Sequence, residues 1–417
     1  MTLVPKILDM ISQLDRVHRI QHISSVALQA AVAKYPGGAN LVPASRFDVK
    51  WQKLRPADVL ANLARTAWIR GVDDPYRLFE RWASLKYLGA LHGGTGVTPE
   101  LGLTAATNNV RGNQRRVFSE ELGIGFAIAA GARWHEFAHG GPVSVSTIDI
   151  DNLANEQELI DAGFVRPSGK RTDFIQLSQT ADPSWWRVSQ VEAKGTESDT
   201  YTFKQIAKAG LQLDKLRVRG VRPPGLVVGS VLHIDNSYVN VLASPTAGTS
   251  ATKDVKVQPG RFGPNQVLVN LGPDVDFADS SNLLPRLADA ARRASWAQLL
   301  ALAGAPNLAL RWFPHHGETQ TPDSTQRIRV DGRRIRGLRA IFPTVDGHAE
   351  MVIGVPDELF EVMREGTARD VAQLQMGLAS NRVPGGGQLD GDGDGAGATT
   401  SIGADGLFVS IRDVSDG

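Results

Sequence analysis

The chain has 417 residues, more than one ordinary hydrophobic core organises, so we expect two or three domains. Hydrophobic residues make up 42% and charged residues 21% of the sequence, which is typical of a globular protein and not of a disordered one. The formal net charge is +1, so a nucleic-acid-binding surface would need local clustering of positive charge. The absence of cysteine excludes disulfides, thiolate zinc sites and a cysteine nucleophile.

The N-terminal segment carries Asp9, Asp15 and Arg16 where a secretory signal peptide needs an apolar run. No part of the sequence approaches the roughly 18 consecutive apolar residues of a transmembrane helix. We therefore expect a cytoplasmic protein with no membrane partner, and the lack of cysteine fits a reducing compartment.

The first part of the chain has the apolar spacing of helices. Residues 4–34 and 56–91 are predicted to be helical, the second stretch with apolar residues at intervals of three and four. Residues 92–114 are rich in Gly, Thr and Asn, which indicates a loop. These assignments predict a helical N-terminal region over residues 1–95.

Helices and strands alternate between residues 115 and 245. Ser119 stands where an N-cap belongs, before a helix rich in small residues that could pack closely on a sheet. The elements predicted after it are strands at 142–149, 172–178 and 185–194, a helix at 201–216, and strands at 226–234 and 238–243. This order predicts an α/β sandwich with a mixed central sheet.

Residues 255–380 are predicted to form a C-terminal α+β region. Its helices are expected at 282–303 and 356–379, with a hairpin at 326–342. Residues 384–405 are rich in Gly and Asp, which predicts a flexible linker.

The predicted hairpin turns at Asp331-Gly332 and is rich in arginine. Its arginines are Arg327, Arg329, Arg333, Arg334, Arg336 and Arg339. Two interpretations stay open: a phosphate-binding surface, or the charged outer face of a two-stranded ribbon.

One segment carries the residues of a metal site. Asp173 opens a predicted strand, and Glu192 and Lys194 end the next strand, two residues apart, so that their side chains point the same way. A turn at residues 181–184 would pair the two strands and bring Asp173 beside Glu192. Mg²⁺ typically binds one or two carboxylates together with water and substrate phosphate. Asp173 and Glu192 would be its ligands, and Lys194 would orient or activate the attacking water.

This arrangement resembles the PD-(D/E)XK nuclease superfamily, whose members have the restriction-endonuclease-like αβββαβ fold. The resemblance covers roughly residues 115–245. Asp173 matches the metal-binding Asp of the second strand, and Glu192-Ala193-Lys194 matches the E-x-K of the third strand. Thr172 departs from the proline that many members have before the Asp.

The resemblance implies a metal-dependent endonuclease that hydrolyses DNA phosphodiester bonds with Mg²⁺, for which Mn²⁺ could substitute, in restriction or anti-phage defence. It implies a supporting Glu in the first core helix, matched by Glu120, with Glu121 as the competing choice. It also implies a Gln in the helix after E-x-K, matched better by Gln212 than by Gln205.

Basic residues on and after that helix could track a DNA backbone beside the site: Lys208, Lys215, Arg217, Arg219 and Arg222. A nuclease that could damage its host needs a restraint, for which the N- and C-terminal regions are candidates. A homo-oligomer or a regulatory partner protein is also expected.

A second motif predicts a different function. The sequence His-Glu-Phe-Ala-His matches the H-E-x-x-H signature of zinc proteases, with His135 and His139 as ligands and Glu136 as general base. Glu158 is a candidate third ligand. Two glycines and a proline follow at once, which favours a helix C-terminus with histidines at the negative end of the helix dipole. A non-catalytic DNA-binding protein with the same fold is a third alternative.

Overall fold

Two large β-sheets organise the part of the chain that the computed structural model describes. That part comprises residues 13–14, 16–47, 51–66, 87, 89–93, 99–153, 172–217, 221–234, 236–248, 252–260, 263–276, 282–314, 323–344, 347–380, 398–403 and 405–414. Its α-helices are α1 (Val26–Val32), α2 (Pro56–Thr66), α3 (Gly112–His139), α4 (Asp199–Leu213), α5 (Leu283–Leu302), α6 (Pro306–Trp312), α7 (Asp357–Glu365) and α8 (Ala368–Ser380). The predicted mixed α/β class is confirmed.

The strands are numbered in chain order. They are β1 (His18–Ile23), β2 (Val42–Pro43), β3 (Trp51–Leu54), β4 (Leu91–Gly93), β5 (Leu101–Leu103), β6 (Val145–Asp149), β7 (Phe174–Gln179), β8 (Trp185–Thr196), β9 (Gly225–Val231), β10 (Tyr238–Ser244), β11 (Val255–Gly260), β12 (Gly263–Asn270), β13 (Gln326–Val330), β14 (Arg333–Thr344), β15 (Gly347–Pro356), β16 (Ala398–Ile402) and β17 (Phe408–Asp413). The larger sheet has ten strands, the second has five, and β4 and β5 form a separate ribbon.

The middle of the larger sheet follows the predicted element order. Strands β6, β7 and β8 form an antiparallel meander, α4 crosses over to β9, which is parallel to β8, and β10 returns antiparallel to β9. All residues of β7 and β9 are buried because helices cover both faces of the sheet. Helix α3 lies on one face and α4 on the other. The predicted mixed central sheet is therefore confirmed.

Helix α3 packs on β8 with the two backbones almost in contact. A Cβ atom added to Gly195 would lie 1.7 Å from the carbonyl oxygen of Ser119, and one added to Gly123 would lie 2.7 Å from the Cα of Gly195. The small residues predicted to allow close packing do so here. Ser119 is not the N-cap, since α3 begins two turns earlier at Gly112.

The prediction of a wholly helical N-terminal region, residues 1–95, is wrong. Within the predicted helix at 4–34, residues 18–23 form β1, which pairs in parallel with β10 and antiparallel with β3. Burial alternates along β1, as expected of a strand with one face on the core. Of the predicted helix at 56–91, the described residues form α2 and the start of β4. The predicted loop at 92–114 contains β5, a short 3₁₀ helix and the start of α3.

The C-terminal assignments also need correction. The hairpin β11–β12 extends the larger sheet by pairing with β8, so the residues after 255 do not all belong to a separate region. The helix predicted at 356–379 is two helices, α7 and α8, which meet near Gly366. The predicted linker at 384–405 contains β16, which pairs with β17. The hairpin at Asp331-Gly332 and the helix at 282–303 are confirmed as β13–β14 and α5.

The second sheet has the order β13-β14-β15-β17-β16 and is antiparallel throughout. Helix α5 is buried over most of its surface, apart from a stripe that includes Arg286 and Arg293, and it contacts strands of both sheets. This agrees with a helix that is apolar around most of its circumference. A buried ion pair also ties the two ends of the chain together: Arg65 of α2 donates to Asp405 at 2.7 Å. None of the described helices is long and apolar enough to cross a membrane.

Candidate active site

Asp173 and the Glu192-Ala193-Lys194 sequence lie side by side where β7 begins and β8 ends. Phe174 pairs with Val191, so the register places Asp173 beside Glu192. The backbone N–H of Asp173 donates to Glu192 Oε2 at 2.9 Å, and the N–H of Ala193 donates to Asp173 Oδ2 at 3.0 Å. The predicted proximity of the two carboxylates is confirmed.

Lys194 joins both carboxylates. Its ammonium hydrogen-bonds Glu192 Oε1 and lies 3.8 Å from Asp173 Oδ2. Burial alone would lower the pKa of Lys194, but the charges of Asp173 and Glu192 outweigh burial and raise it. The lysine is therefore cationic at neutral pH.

The two carboxylates differ in exposure. The Glu192 side chain is fully buried, whereas that of Asp173 is 34% exposed. Burial, together with the neighbouring charge of Asp173, raises the pKa of Glu192 to about 8. The ionised form of Glu192 is therefore costly in this buried position, whereas Asp173 is partly open to the solvent.

Helix α3 brings Glu120 to this group. The close packing at Gly195 puts the Cα of Glu120 3.1 Å from a Cβ added to that glycine. The charge of Glu120 contributes to the raised pKa of Lys194. Glu120 is exposed and lies 3.8 Å from Arg116, whereas Glu121 accepts a hydrogen bond from Tyr87. Glu120 is thus better placed than Glu121 to support the site.

Helix α4 carries two glutamines, Gln205 and Gln212, at different positions along the direction of strand β8. A Cβ added to Gly229, the partner of Lys194, would touch Ile206, and one added to Gly225, the partner of Gln190, would touch Leu213. Gln205 therefore lies beside the part of β8 that contains Lys194. Gln212 lies beside the part that contains Gln190, which is four residues, or about 13 Å, from Lys194 along the strand.

Gln205 also lies on the side of α4 that faces away from α1. Ala207 and Gly210 contact the segment after α1, at Gly37 and Leu41, and Gln205 lies on the opposite side of the helix. The Oε1 atom of Gln205 is buried and accepts no hydrogen bond from the part of the chain described. Comparing Gln205 with Gln212 by sequence position did not reveal this difference in position along β8.

The structure describes most of the basic residues that are predicted to follow a DNA backbone. Lys208 is exposed on α4, and Lys215 and Arg217 follow the helix at the surface. Arg219 lies outside the described residues. The nearby Arg222 is engaged by Asp214 and by the Pro245 carbonyl.

The His-Glu-Phe-Ala-His sequence ends α3, but its first histidine faces the core. His135 is buried, with Nδ1 2.7 Å from the Ser178 hydroxyl and Nε2 2.7 Å from that of Ser189. Burial lowers the pKa of His135 to about 3. Both ring nitrogens are thus used in the core, which gives this histidine a structural role.

The second histidine of that motif, His139, is half-buried, and burial together with the charge of Arg187 lowers its pKa. Glu136 forms an ion pair with Arg133 at 2.6 Å, and its carbonyl accepts from the N–H of Gly140, whose φ is 90°. This left-handed glycine ends the helix, as the sequence predicted. The candidate third ligand, Glu158, lies outside the described residues.

The donors near Asp173 fit a hard cation. Burial and, after it, the charge of Asp173 raise the pKa of Glu192, and an oxygen-binding cation would stabilise the ionised form of both carboxylates. Among the described residues, no group of three or more His, Cys, Asp or Glu side chains could hold a metal ion. Two protein carboxylates suffice for Mg²⁺, which keeps several waters and binds substrate phosphate.

Comparison of the chain with protein-family models, with curated proteins and with solved structures finds no match. The geometry of this site is therefore the observation that bears on function.

Proposed function

We propose that the chain is a Mg²⁺-dependent nuclease. The observation that carries the proposal is the convergence of Asp173, Glu192 and Lys194, in which each carboxylate accepts a backbone N–H from the other strand. Chance charges at strand ends would face water separately, whereas these three groups interact with one another and are partly removed from solvent.

The order of elements supports the same proposal. Helix α3, strands β6 to β8, helix α4, and strands β9 and β10 follow the αβββαβ order of the restriction-endonuclease-like fold, with β8 and β9 parallel. Strands β1, β3, β11 and β12 would then be additions at the edges of that core.

Asp173 and Glu192 would hold the metal, which, when bound, would acidify a water molecule and offset charge on the phosphate. Mn²⁺ could substitute because it accepts the same oxygen ligands. The carboxylate of Asp173 is the accessible one, so it offers the first ligand. Glu192 must lose its proton to become the second ligand.

Lys194 would act as a cation. Because its pKa is raised, it is suited to orient a water molecule and to stabilise negative charge on the phosphate, and not to remove a proton as a general base. Glu120 and Gln212 are the supporting residues that the sequence predicts. By its position along β8, Gln205 is a further candidate for positioning.

Nucleic acid would run past the outer side of α4, where Lys208, Lys215 and Arg217 would contact phosphates, and Arg219 is a further basic residue that the sequence predicts for this role. The protein would act in the cytoplasm in restriction or phage defence, as a homo-oligomer or with a regulatory partner, and its N- and C-terminal regions are candidates for restraining it. This biological role is inferred from the resemblance to the nuclease superfamily and not from the geometry of the site.

Plasmid cleavage tests the proposal. Purified wild-type chain should nick or linearise supercoiled DNA with Mg²⁺ or Mn²⁺ and should be inactive in EDTA. Lys194→Ala should lose about 100-fold or more of the rate, the usual effect of removing one group that stabilises the transition state.

Lys34→Ala is the matched control, since Lys34 is an exposed lysine after α1 and has no place in the site. Circular dichroism would verify that the variants are folded. The proposal fails if wild-type chain cuts neither DNA nor RNA, or if Lys194→Ala cuts as fast as wild type. Binding of DNA without cleavage under any of these conditions would leave the non-catalytic alternative.

A further inference from the structure

The arginines of the β13–β14 hairpin fall into two groups of three. Arg327 and Arg336 form ion pairs with carboxylates of α7, Asp357 and Glu361, at 3.0 to 3.5 Å. Arg339 is paired with the buried Glu350. Half of the cluster is therefore neutralised inside the fold.

The other three arginines surround the turn and form no ion pair with the described residues. Arg329, Arg333 and Arg334 are exposed, and none of them has an ion-pair or hydrogen-bond partner among the residues that the structure describes. The one acidic residue at the tip, Asp331, accepts a hydrogen bond from Thr400 at 3.2 Å, which attaches the turn to β16. The hairpin turn is therefore positively charged and is held in place by its hydrogen bond to β16.

The pairing register places arginines directly opposite each other, and an anionic ligand would reduce the repulsion between them. Arg329 lies directly opposite Arg334, as Arg327 lies opposite Arg336. Like charges in directly opposite positions destabilise a sheet. Arg327 and Arg336 form ion pairs with α7. Arg329 and Arg334 form no ion pair with the described residues, although Arg334 lines the same cavity as the carboxylates of α7.

Protection of a sheet edge does not account for the tip. Charged side chains on an edge strand discourage pairing with other chains. Arg333 and Arg334, however, belong to β14, which lies inside the sheet between β13 and β15.

We propose that the tip of the β13–β14 hairpin, defined by Arg329, Arg333 and Arg334, binds the phosphate backbone of a nucleic-acid duplex. A two-stranded ribbon has the width of the DNA major groove. The register puts Arg329 and Arg334 on one face of the ribbon and Arg333 on the other, so the tip presents guanidinium groups on both sides. Guanidinium forks match phosphate oxygens in a bidentate manner.

This surface lies on the second sheet and is distinct from the basic residues beside α4. It rests on the proposed function only in the choice of nucleic acid as the ligand. A nuclease whose site lies in the larger sheet would gain from it an additional, sequence-independent contact with its substrate.

The test is the salt dependence of DNA binding in EDTA, where no cleavage takes place. The affinity of a fluorescein-labelled duplex is measured by anisotropy from about 50 to about 200 mM salt, since each phosphate contact contributes about 0.9 to the slope of log affinity against log salt. The double variant Arg329→Gln/Arg334→Gln should lose about 1.8 of the wild-type slope. Arg327→Gln, two residues away on the same strand, should keep the wild-type slope because that arginine is already paired.

The proposal would be overturned by the absence of binding by wild-type chain at low salt, by an unchanged slope in the double variant, or by an equal loss of slope in Arg327→Gln. Polyglutamate that competes as well as DNA of the same charge would also overturn it, since an acidic polypeptide would then be the ligand. The nuclease proposal is judged separately. Hairpin-dependent binding without cleavage in Mg²⁺ would contradict that proposal alone, and cleavage with an unchanged slope would contradict the hairpin alone.

Discussion

Replacing Glu192 with glutamine should remove a pH dependence of stability that the wild-type chain shows without divalent metal. Burial and the charge of Asp173 raise the pKa of Glu192 to about 8 in the folded chain, against about 4.3 in an unfolded chain. Between these two values the unfolded chain has released the proton and the folded chain still holds it. Stability is therefore highest below the lower value and falls as pH rises towards the upper one.

The expected loss of stability follows from the pH interval over which only the unfolded chain has released the proton. One pKa unit corresponds to about 1.4 kcal/mol, so raising the pH from about 5 to about 8 should cost the wild-type chain about 3 to 4 kcal/mol at this group. Lys194 does not titrate in this interval, since its raised pKa contributes stability that is lost only at higher pH. Urea unfolding in EDTA at the two pH values measures the loss, and Glu192→Gln should lack it.

Glu358→Gln is the matched control, because Glu358 is exposed on α7 and should leave the wild-type pH dependence unchanged. Saturating Mg²⁺ should reduce the pH dependence of the wild-type chain and leave that of Glu192→Gln as it was, since only an ionised Glu192 binds the metal. An equal loss of stability in wild type and Glu192→Gln would refute the reasoning.

The remaining predictions concern packing and the rival zinc motif. Gly195→Ala puts a Cβ 1.7 Å from a carbonyl oxygen of α3 and should destabilise the chain by about 3 kcal/mol or more, whereas Gly377→Ala, with nothing within 4 Å on α8, should stabilise it by up to about 1 kcal/mol. Equal effects in thermal unfolding would contradict the packing of α3 on β8. His135→Ala should cost about 3 kcal/mol, because the buried Ser189 hydroxyl loses its partner and a cavity opens, whereas the Ser178 hydroxyl keeps Arg187 at 3.2 Å. Metal analysis should show no zinc in either form. Stoichiometric zinc that is lost on mutation would restore the protease alternative. Arg65→Met should cost about 3 to 5 kcal/mol by leaving Asp405 buried without its cation, and adding Asp405→Leu should recover much of that loss; no recovery would mean that the packing, not the charge pair, is responsible.

Local sequence signals were sufficient for the elements that form the site. Strands β7 and β8 have apolar runs separated by a turn of Asp, Pro and Ser, and the Asp331-Gly332 turn has positive φ at both residues, as its type requires. The spacing of Glu192 and Lys194 on one strand settled their common direction. These features depend on neighbours a few residues away, which is why the pattern could be interpreted without a structure.

The errors share a different cause. Strand β1 finds its partner in β10, far along the chain, and β16 lies in a stretch whose Gly and Asp content indicates a linker until β17 pairs with it. Whether Gln205 or Gln212 lies beside Lys194 depends on where α4 packs along the strands of the sheet. Strand pairing at long range and helix placement are set by tertiary packing, which composition and periodicity do not report.

The raised pKa of Glu192 connects the geometry of the site with its proposed chemistry. Burial and the charge of Asp173 make the ionised form of Glu192 costly, and the Lys194 ammonium offsets only part of that cost. A further cation beside the two carboxylates would stabilise the ionised form, because a negative charge in a region of low dielectric is costly unless it is paired. Binding of a divalent cation and release of the proton are therefore coupled, so metal affinity should increase with pH up to about 8, the pKa of Glu192. A site of this kind remains stable without its metal, and it exposes a ligand, Asp173, through which the cation can enter.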